Sequence, residues 1–227
     1  MTITTTTLTR GAAAAAALAG LAYVAIQFIH PADVIESLST QAWVNVHVLS
    51  FAEAVLALIG VTGLYLFQVR KAGILALLGY LMFGFFFILQ ASFNFAEALI
   101  APLIAVNAPQ LAVDFVGLFG RYPAETDLGA LAALPLIGAI LYVGGAVMFG
   151  IATMRARMLS RGAAILLIVA AAVTPLAALL PHALERMAAV PMGAALVWLG
   201  YSLWRTSRTT TAGGTLAVTA SDPIAVN

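Results

Sequence analysis

Six long apolar stretches limit the folds that this chain can adopt. They cover about residues 11–29, 42–67, 73–104, 129–153, 163–180 and 187–204. A helix that crosses the hydrocarbon core of a bilayer needs ~20 mostly apolar residues, and each stretch is close to that length or above it. The third stretch is long enough that its helix must tilt or project beyond the bilayer. The pattern predicts an all-α polytopic membrane protein with six transmembrane helices in one bundle.

Composition supports a membrane protein and excludes several other classes. The chain is 63% hydrophobic and 8% charged, with a mean hydropathy of +1.06, whereas about a quarter of the residues of soluble domains are charged. The net charge is +1 and no run of Lys or Arg is dense enough to follow phosphates, so we expect no nucleic-acid partner. The absence of cysteine excludes disulfides, thiolate nucleophiles and Cys-ligated metal sites. The expected partner is the lipid bilayer.

The basic residues predict the orientation. Cytoplasmic ends of membrane helices are enriched in Lys and Arg. In a six-helix arrangement, Arg121 and Arg186 fall on one side, and all the other basic residues fall on the opposite side, namely Arg10, Arg70, Lys71, Arg155, Arg157, Arg161, Arg205 and Arg208. We therefore expect both termini in the cytoplasm and the protein in the plasma (cytoplasmic) membrane. The predicted organisation is a cytoplasmic N-terminus at 1–10, a transmembrane domain at 11–204 and a disordered cytoplasmic tail at 205–227.

Two further segments carry structural predictions. In the long outer loop at 105–128, Leu111, Phe115, Leu118 and Phe119 have near-helical spacing, which predicts a short interfacial helix. The fourth predicted helix contains small residues that allow another helix to come close. These glycines make a homodimer through that helix one interpretation, and packing within one bundle is the other: Gly144, Gly145 and Gly150.

Polar residues within the second and third predicted helices mark a candidate site. Gln90, Asn94 and Glu97 share a ~60° arc of one helix, and His47, Ser50 and Glu53 spread over a ~120° arc of the helix before it. A short turn around 68–72 makes the two helices antiparallel. Register then pairs Glu97 with Trp43 near the outer boundary and puts Glu53 at mid-membrane. The expected result is a polar well open to the outer side.

Aromatic residues are predicted to form the floor of this well. Phe83, Phe86 and Phe87 lie on the same side of their helix as Gln90. A carboxyl group among phenyl rings is costly to ionise, so we expect Glu53 to keep its proton, whereas Glu97 should be better hydrated. The catalytic candidates are Glu53, Glu97 and His47. The binding candidates are Gln90, Asn94, Phe83, Phe86, Phe87 and Ser50.

Histidine raises the possibility of a metal or haem site. His30, His47 and His182 all fall in the outer half of the predicted bundle, and imidazole is a common metal and haem ligand. No short ligand spacing joins them, so we expect no metal site and no cofactor, although the sequence leaves haem or metal open. Nucleotide-binding and serine-hydrolase motifs are also missing from the sequence.

Three functions fit these features. The first is a protein that binds or acts on a lipophilic small molecule in an outer-half pocket. Such a protein could be an acid-catalysed isomerase or cyclase of an isoprenoid-like substrate, with Glu53 as proton donor and phenyl rings beside the developing cation. The second is a proton-coupled small-molecule transporter, and the third is a non-catalytic accessory membrane subunit whose polar residues hold helices together. Sequence alone does not decide among them.

Overall fold

The computed structural model describes residues 3–119, 123–179 and 186–219, and within these ranges the chain is helical with no strand. The α-helices are α1 (Thr5–Ile29), α2 (Ile35–Leu38), α3 (Gln41–Leu99), α4 (Ala101–Asn107), α5 (Pro109–Val116), α6 (Leu134–Ala139), α7 (Gly145–Ala156), α8 (Arg161–Val173) and α9 (Val190–Thr219). Short 3-10 segments lie at Gly129–Ala133, Thr174–Leu179 and Arg186–Ala189, and a π-helical turn lies at Ile140–Gly144.

The long helix α3 folds back on itself at Gly73. This residue has φ 66° and ψ −169°, a conformation that side-chain-bearing residues rarely adopt. The first arm (41–72) and the second arm (74–99) are therefore antiparallel. Tyr65 and Tyr80 stack across them at 4.6 Å, and the Thr62 and Tyr80 hydroxyls lie 3.2 Å apart. The chain thus makes a hairpin of two long helices without a loop.

Small residues let the other helices pack closely around this hairpin. Helix α1 lies against the first arm, where Gly60 meets Ala16, and against α9, where Gly200 meets the Ala13 backbone. The second arm packs on α7, α7 on α8, and α8 on α9. All these neighbours are antiparallel, which brings one set of helix ends together as the basic end of the bundle: the start of α1, Gly73, the end of α7, the start of α8 and the last part of α9.

The opposite end, the cavity end, is covered by short helices. Helices α2, α4 and α5 form a cap in which Leu38, Trp43, Ala101, Ala112 and Val116 make a buried apolar cluster. Helix α3 ends at Leu99 because Pro102 lies in the first turn of α4, where a proline is tolerated but cannot continue the preceding helix. The predicted third stretch, 73–104, is therefore divided between α3 and the cap.

The helices are long and apolar enough for a membrane protein. Four of those described could cross a bilayer by length and composition, and they span Thr5–Ile29, Gln41–Leu99, Gly129–Ala156 and Arg186–Arg208. Large apolar side chains such as Ile59, Leu66 and Ile74 are exposed on the outside of the bundle, which suits contact with lipid. The all-helical membrane protein expected from the sequence is thus confirmed at this level.

Several predicted boundaries shift in the structure. The expected short helix of the long loop corresponds to α5, which ends at Val116 and leaves Leu118 and Phe119 beyond it. The last helix continues to Thr219, so its backbone extends through much of the tail expected at 205–227; residues 220–227 lie outside the described ranges.

The glycines of the fourth predicted helix pack within the chain. Gly144 and Gly145 face Met82 and Phe83 of α3, and Gly150 faces Ile168 of α8. These contacts account for the three glycines without a second copy, and the homodimer stays a prediction.

The helix crossing at Gly79 yields a direct prediction. A Cβ at this position would lie 2.4 Å from the backbone nitrogen of Phe149, and neither backbone can move without separating α3 from α7. We expect Gly79→Ala to lower the free energy of unfolding by about 1–3 kcal/mol. Thermal or denaturant unfolding in detergent micelles measures this change.

Gly11 provides the matched control. It is exposed in α1, and no atom lies within 4 Å of an added Cβ. The free energy of unfolding of Gly11→Ala should therefore equal that of the wild-type protein or exceed it by up to about 1 kcal/mol. Equal stability of the Gly79→Ala variant and the wild-type protein would contradict the close crossing.

Candidate functional site

A cavity of about 640 Å³ lies at the cavity end of the bundle. Its walls come from the second arm of α3, the segment between α1 and α2, helix α5 with the connection after it, and the start of the α6–α7 segment. The volume falls in the range of pockets that hold a drug-sized ligand. This cavity is the candidate site.

The stripe predicted on the second arm of α3 forms one wall of the cavity. Gln90, Asn94 and Glu97 all line it, as does Phe86 one turn further in. Phe93 and Phe119 add aromatic surface and lie against each other with ring centroids 4.9 Å apart. The wall therefore combines apolar rings with a few polar groups.

Glu97 faces a histidine whose orientation is fixed. The Trp43 carbonyl oxygen lies 2.8 Å from His47 Nδ1, so this nitrogen donates and Nε2 is left as an acceptor in the neutral ring. Nε2 is 3.5 Å from Glu97 Oε2. Trp43 Nε1 in turn donates to the Glu97 backbone oxygen at 2.8 Å. The acceptor nitrogen of the His47 ring thus faces the Glu97 carboxyl group.

Glu53 lies behind the cavity wall. Its side chain is fully buried, and its Oε2 accepts a 2.8 Å hydrogen bond from Gln90 Nε2. The Glu53 side chain is not part of the cavity lining, whereas Gln90 is. Glu53 Oε1 and Gln90 Oε1 are both buried without a partner among the described residues. Gln90 therefore separates the carboxyl group of Glu53 from the cavity.

Tyr142, in the π-helical turn, packs against Phe86 of the cavity wall. Its ring lies 4.8 Å from Phe86 and 6.2 Å from Phe83 between centroids. Its hydroxyl is 3.3 Å from the Thr174 hydroxyl, at the end of α8. A π turn shifts the helix register by one residue and is often found at functional sites. The turn at Ile140–Gly144 thus positions an aromatic residue beside the cavity.

Charged residues surround the entrance. Arg186 Nη2 donates to Asp33 Oδ2 at 2.8 Å, and His30 Nδ1 lies 3.9 Å from Asp33 Oδ1. The His30 and His47 rings are in contact, with centroids 4.9 Å apart. Burial, followed by the charge of Arg186, lowers the pKa of His30, so this ring is neutral at pH 7. The entrance is thus linked to Glu97 by adjacent imidazole rings.

Asp114 anchors the connection that covers the cavity. Its Oδ2 accepts from the backbone nitrogens of Glu125 and Thr126, at 3.1 and 2.7 Å, and from the Thr126 hydroxyl. Its Oδ1 accepts from Gln110 Nε2 at 2.9 Å. These bonds, led by that of the Thr126 hydroxyl, lower the pKa of Asp114. A charged Asp114 therefore holds this wall in place at neutral pH.

The structure does not bring every predicted residue to the cavity. Ser50 is buried and donates to the Val46 carbonyl oxygen, as a packed helical serine does. Phe83 and Phe87 lie in the core of the bundle with ring centroids 4.6 Å apart, and Phe86 alone of the predicted aromatic floor lines the cavity. Their assignment as binding residues stays a prediction.

The register of the α3 hairpin differs from the predicted one by about one helical turn. Glu53 was expected at the level of Phe86 but contacts Gln90. His47 was expected at the level of Ser92 but contacts Glu97. The reason is that the chain reverses at Gly73, after the segment 68–72 where the turn was expected. The predicted pairing of Glu97 with Trp43 is nevertheless present, because the long Trp43 side chain reaches the Glu97 backbone oxygen.

Glu97 is also less hydrated than predicted. Its exposed fraction is 7% because α2 and α4 cover that end of α3. Sequence reasoning missed Asp33, Arg186 and Asp114 as residues of the cavity lining. Asp33 and Arg186 pair across 153 positions, and Asp114 bonds to Glu125 and Thr126, 11 and 12 positions away in a loop without a regular pattern. The only signal for Asp114 was its position within an apolar loop.

The histidines do not converge with other ligands in the described part of the chain. No group of three or more His, Asp or Glu side chains there is arranged to hold a metal ion. His182 lies outside the described residues.

Comparisons with protein-family models, with curated proteins and with solved structures gave no match for this chain. The functional assignment therefore depends on the geometry of the cavity.

Proposed function

We propose that this membrane protein binds a lipophilic small molecule in the cavity and acts on it by proton transfer. The observation that carries this proposal is the cavity itself, which has a volume of about 640 Å³ and is lined mostly by apolar and aromatic groups with Gln90, Asn94 and Glu97 on one wall. Pockets of this kind hold organic ligands, and their few polar groups fix the orientation.

The two carboxyl groups take different roles in this proposal. Glu97 lines the cavity and its carboxyl group lies 3.5 Å from His47 Nε2, so we assign Glu97 as the group that exchanges a proton with the ligand. Glu53, the proton donor expected from the sequence, is separated from the cavity by Gln90, and its carboxyl group holds the Gln90 amide in place. Acid-initiated isomerisation or cyclisation of an isoprenoid-like chain suits this arrangement, since Phe86 and Phe93 present faces that stabilise a developing cation.

Filling the cavity tests the proposal. A Cβ at Gly138 would lie 3.5 Å from Phe119 and 3.7 Å from Leu89, so the backbone accepts a side chain there and a leucine extends into the cavity. We expect a lipophilic molecule to co-purify with the wild-type protein. Its amount per protein should be about tenfold lower in Gly138→Leu, which corresponds to a loss of ~1.4 kcal/mol of binding free energy. Mass spectrometry of organic extracts measures the amount of the bound molecule.

Gly11→Leu is the control for this experiment, because position 11 is exposed on α1, away from the cavity. Its extract should match that of the wild-type protein. The same extracted molecules in Gly138→Leu and wild type would overturn the cavity as the binding site.

We propose six membrane spans with both termini in the cytoplasm of the cell, and a location in the plasma membrane. The fold-back at Gly73 supports two spans within α3, and α8 with the 3-10 segment that follows it supports a fifth. The shared basic end supports the orientation. The cavity then lies in the outer half of the bilayer.

Single cysteines report this topology because the native chain has none. Lys71 and Glu125 are exposed at opposite ends of the bundle. In intact cells we expect a membrane-impermeant maleimide to label Glu125→Cys, and to label Lys71→Cys only after permeabilisation. Labelling in the reverse order would place the termini outside.

A proton-coupled transporter is the second candidate. Gln68 Nε2 donates to the Thr153 hydroxyl at 2.8 Å in the basic half of the bundle, and both side chains are fully buried. A polar contact at the seam between α3 and α7 is a place where the bundle could open on that side.

Transport measurements separate the two candidates. In proteoliposomes with an imposed pH gradient, we expect the co-purified molecule to reach the same internal concentration as in protein-free liposomes. Accumulation that needs the gradient and is lost with a protonophore would favour the transporter.

A further inference from the structure

The polar wall of the cavity contains a carboxyl group and, just behind its surface, an amide oxygen without a hydrogen-bond donor among the described residues. Gln90 Nε2 is engaged by Glu53 and Asn94 Nδ2 by the Gln90 carbonyl oxygen, each at 2.8 Å. Gln90 Oε1 is buried and has no partner among the described residues. The Glu97 carboxyl group lies on the same wall. A ligand that donates hydrogen bonds therefore suits this wall.

The cationic group of the lining is already paired. The Arg186 guanidinium is bound to Asp33 at 2.8 Å, and the described lining contains no other Lys or Arg. His30 Nδ1 lies 2.7 Å from the Pro31 carbonyl oxygen and donates to it, so its other ring nitrogen is an acceptor in the neutral ring. An anionic ligand would find no unpaired positive charge in this part of the structure.

Aromatic rings stand beside the acceptor wall. The Phe93 ring contacts Phe115 and Phe119, with centroid distances of 4.9 Å in both cases. Phe86 borders Gln90 on the same arm of α3. The faces of such rings attract cations, by ~0.5–2 kcal/mol or more where water is excluded. Oxygen acceptors and ring faces together favour a positively charged donor.

We propose that the ligand of the cavity is a small lipophilic amine. Its nitrogen lies between Glu97 and Gln90, and its hydrocarbon part lies along Phe86, Phe93 and Phe119. An amine that enters as the free base takes one proton from the Glu97 carboxyl group, which leaves an ammonium ion beside a carboxylate and needs no other reactant. This inference rests on the cavity and the proton transfer of the proposed function, and it names an amine, in place of an isoprenoid-like chain, as the molecule that takes the Glu97 proton.

Three probes with the same chain length test the head group. Dodecylamine, dodecanol and dodecanoate are each equilibrated with phosphatidylcholine nanodiscs, with and without the protein. The protein-dependent retention of dodecylamine should exceed that of both other probes about tenfold, which corresponds to ~1.4 kcal/mol. This comparison uses the wild-type protein, so it does not depend on the folding of a variant.

Variants locate the head group. Glu97→Gln should lower the retention of dodecylamine about tenfold and leave that of dodecanol unchanged. Glu36→Gln is the matched control, because Glu36 is an exposed acid on α2 outside the cavity lining. Thermal unfolding of each variant verifies that the bundle is intact.

Different results would overturn the amine ligand and the lipophilic cavity. Retention of dodecanol or dodecanoate equal to that of dodecylamine would overturn the amine and leave the lipophilic cavity standing. Retention of none of the three probes, with the same extracted molecules in wild type and Gly138→Leu, would overturn both. If Glu36→Gln lowered the retention of dodecylamine as much as Glu97→Gln, the amine would be held by surface charge, and its binding in the cavity would be overturned.

Discussion

The reversal of α3 at Gly73 is the constraint on which the site depends. The contacts that define the polar wall, Trp43 with Glu97 and Gln90 with Glu53, join residues 54 and 37 positions apart on the two arms of one helix. They meet because a single residue with φ 66° reverses the chain, so that the two arms lie side by side over their full length. A side-chain-bearing residue would be strained in this conformation. A flexible loop would allow the two arms to pair in many registers, whereas a one-residue reversal allows only a few registers.

Burial of polar groups in an apolar bundle explains why the wall ends in acceptors. In a membrane, an unpaired polar group costs several kcal/mol, so each nitrogen of the wall is used inside the protein. Trp43 donates to the Glu97 backbone oxygen, His47 to that of Trp43, Asn94 to that of Gln90 in the preceding turn, and Gln90 to the Glu53 carboxyl group. These bonds fix the side chains of the polar wall, and Gln90 Oε1 remains without a partner among the described residues. The remaining oxygens are the groups that a ligand or a proton can satisfy.

Much of this arrangement is contained in local sequence. The apolar stretches and the i, i+4, i+7 spacing of Gln90, Asn94 and Glu97 predict the helices and the polar stripe, because both depend only on helical periodicity. The register between the arms was off by a turn, since it depends on one backbone conformation at Gly73 that composition does not specify. Of the cap, only the helix in the long loop, α5, was expected. The contact of Ala112 with the cluster of Leu38 and Trp43 joins distant parts of the chain, and no local pattern marks it. For the same reason the burial of Glu97 became visible only in three dimensions.

The two ends of the bundle differ in what separates their helices. Toward the basic end, alanine and glycine pairs such as Ala16 with Gly60 bring backbones together and leave no space for a ligand. Toward the cavity end, the second arm of α3 faces Phe119 and the connection held by Asp114 instead of a long helix. A wall of this kind is fixed by a few hydrogen bonds to one carboxylate, whereas the helices behind it are fixed by extensive packing. The geometry of Glu97 and His47, which belong to the α3 hairpin, therefore depends on helix packing more than on this wall.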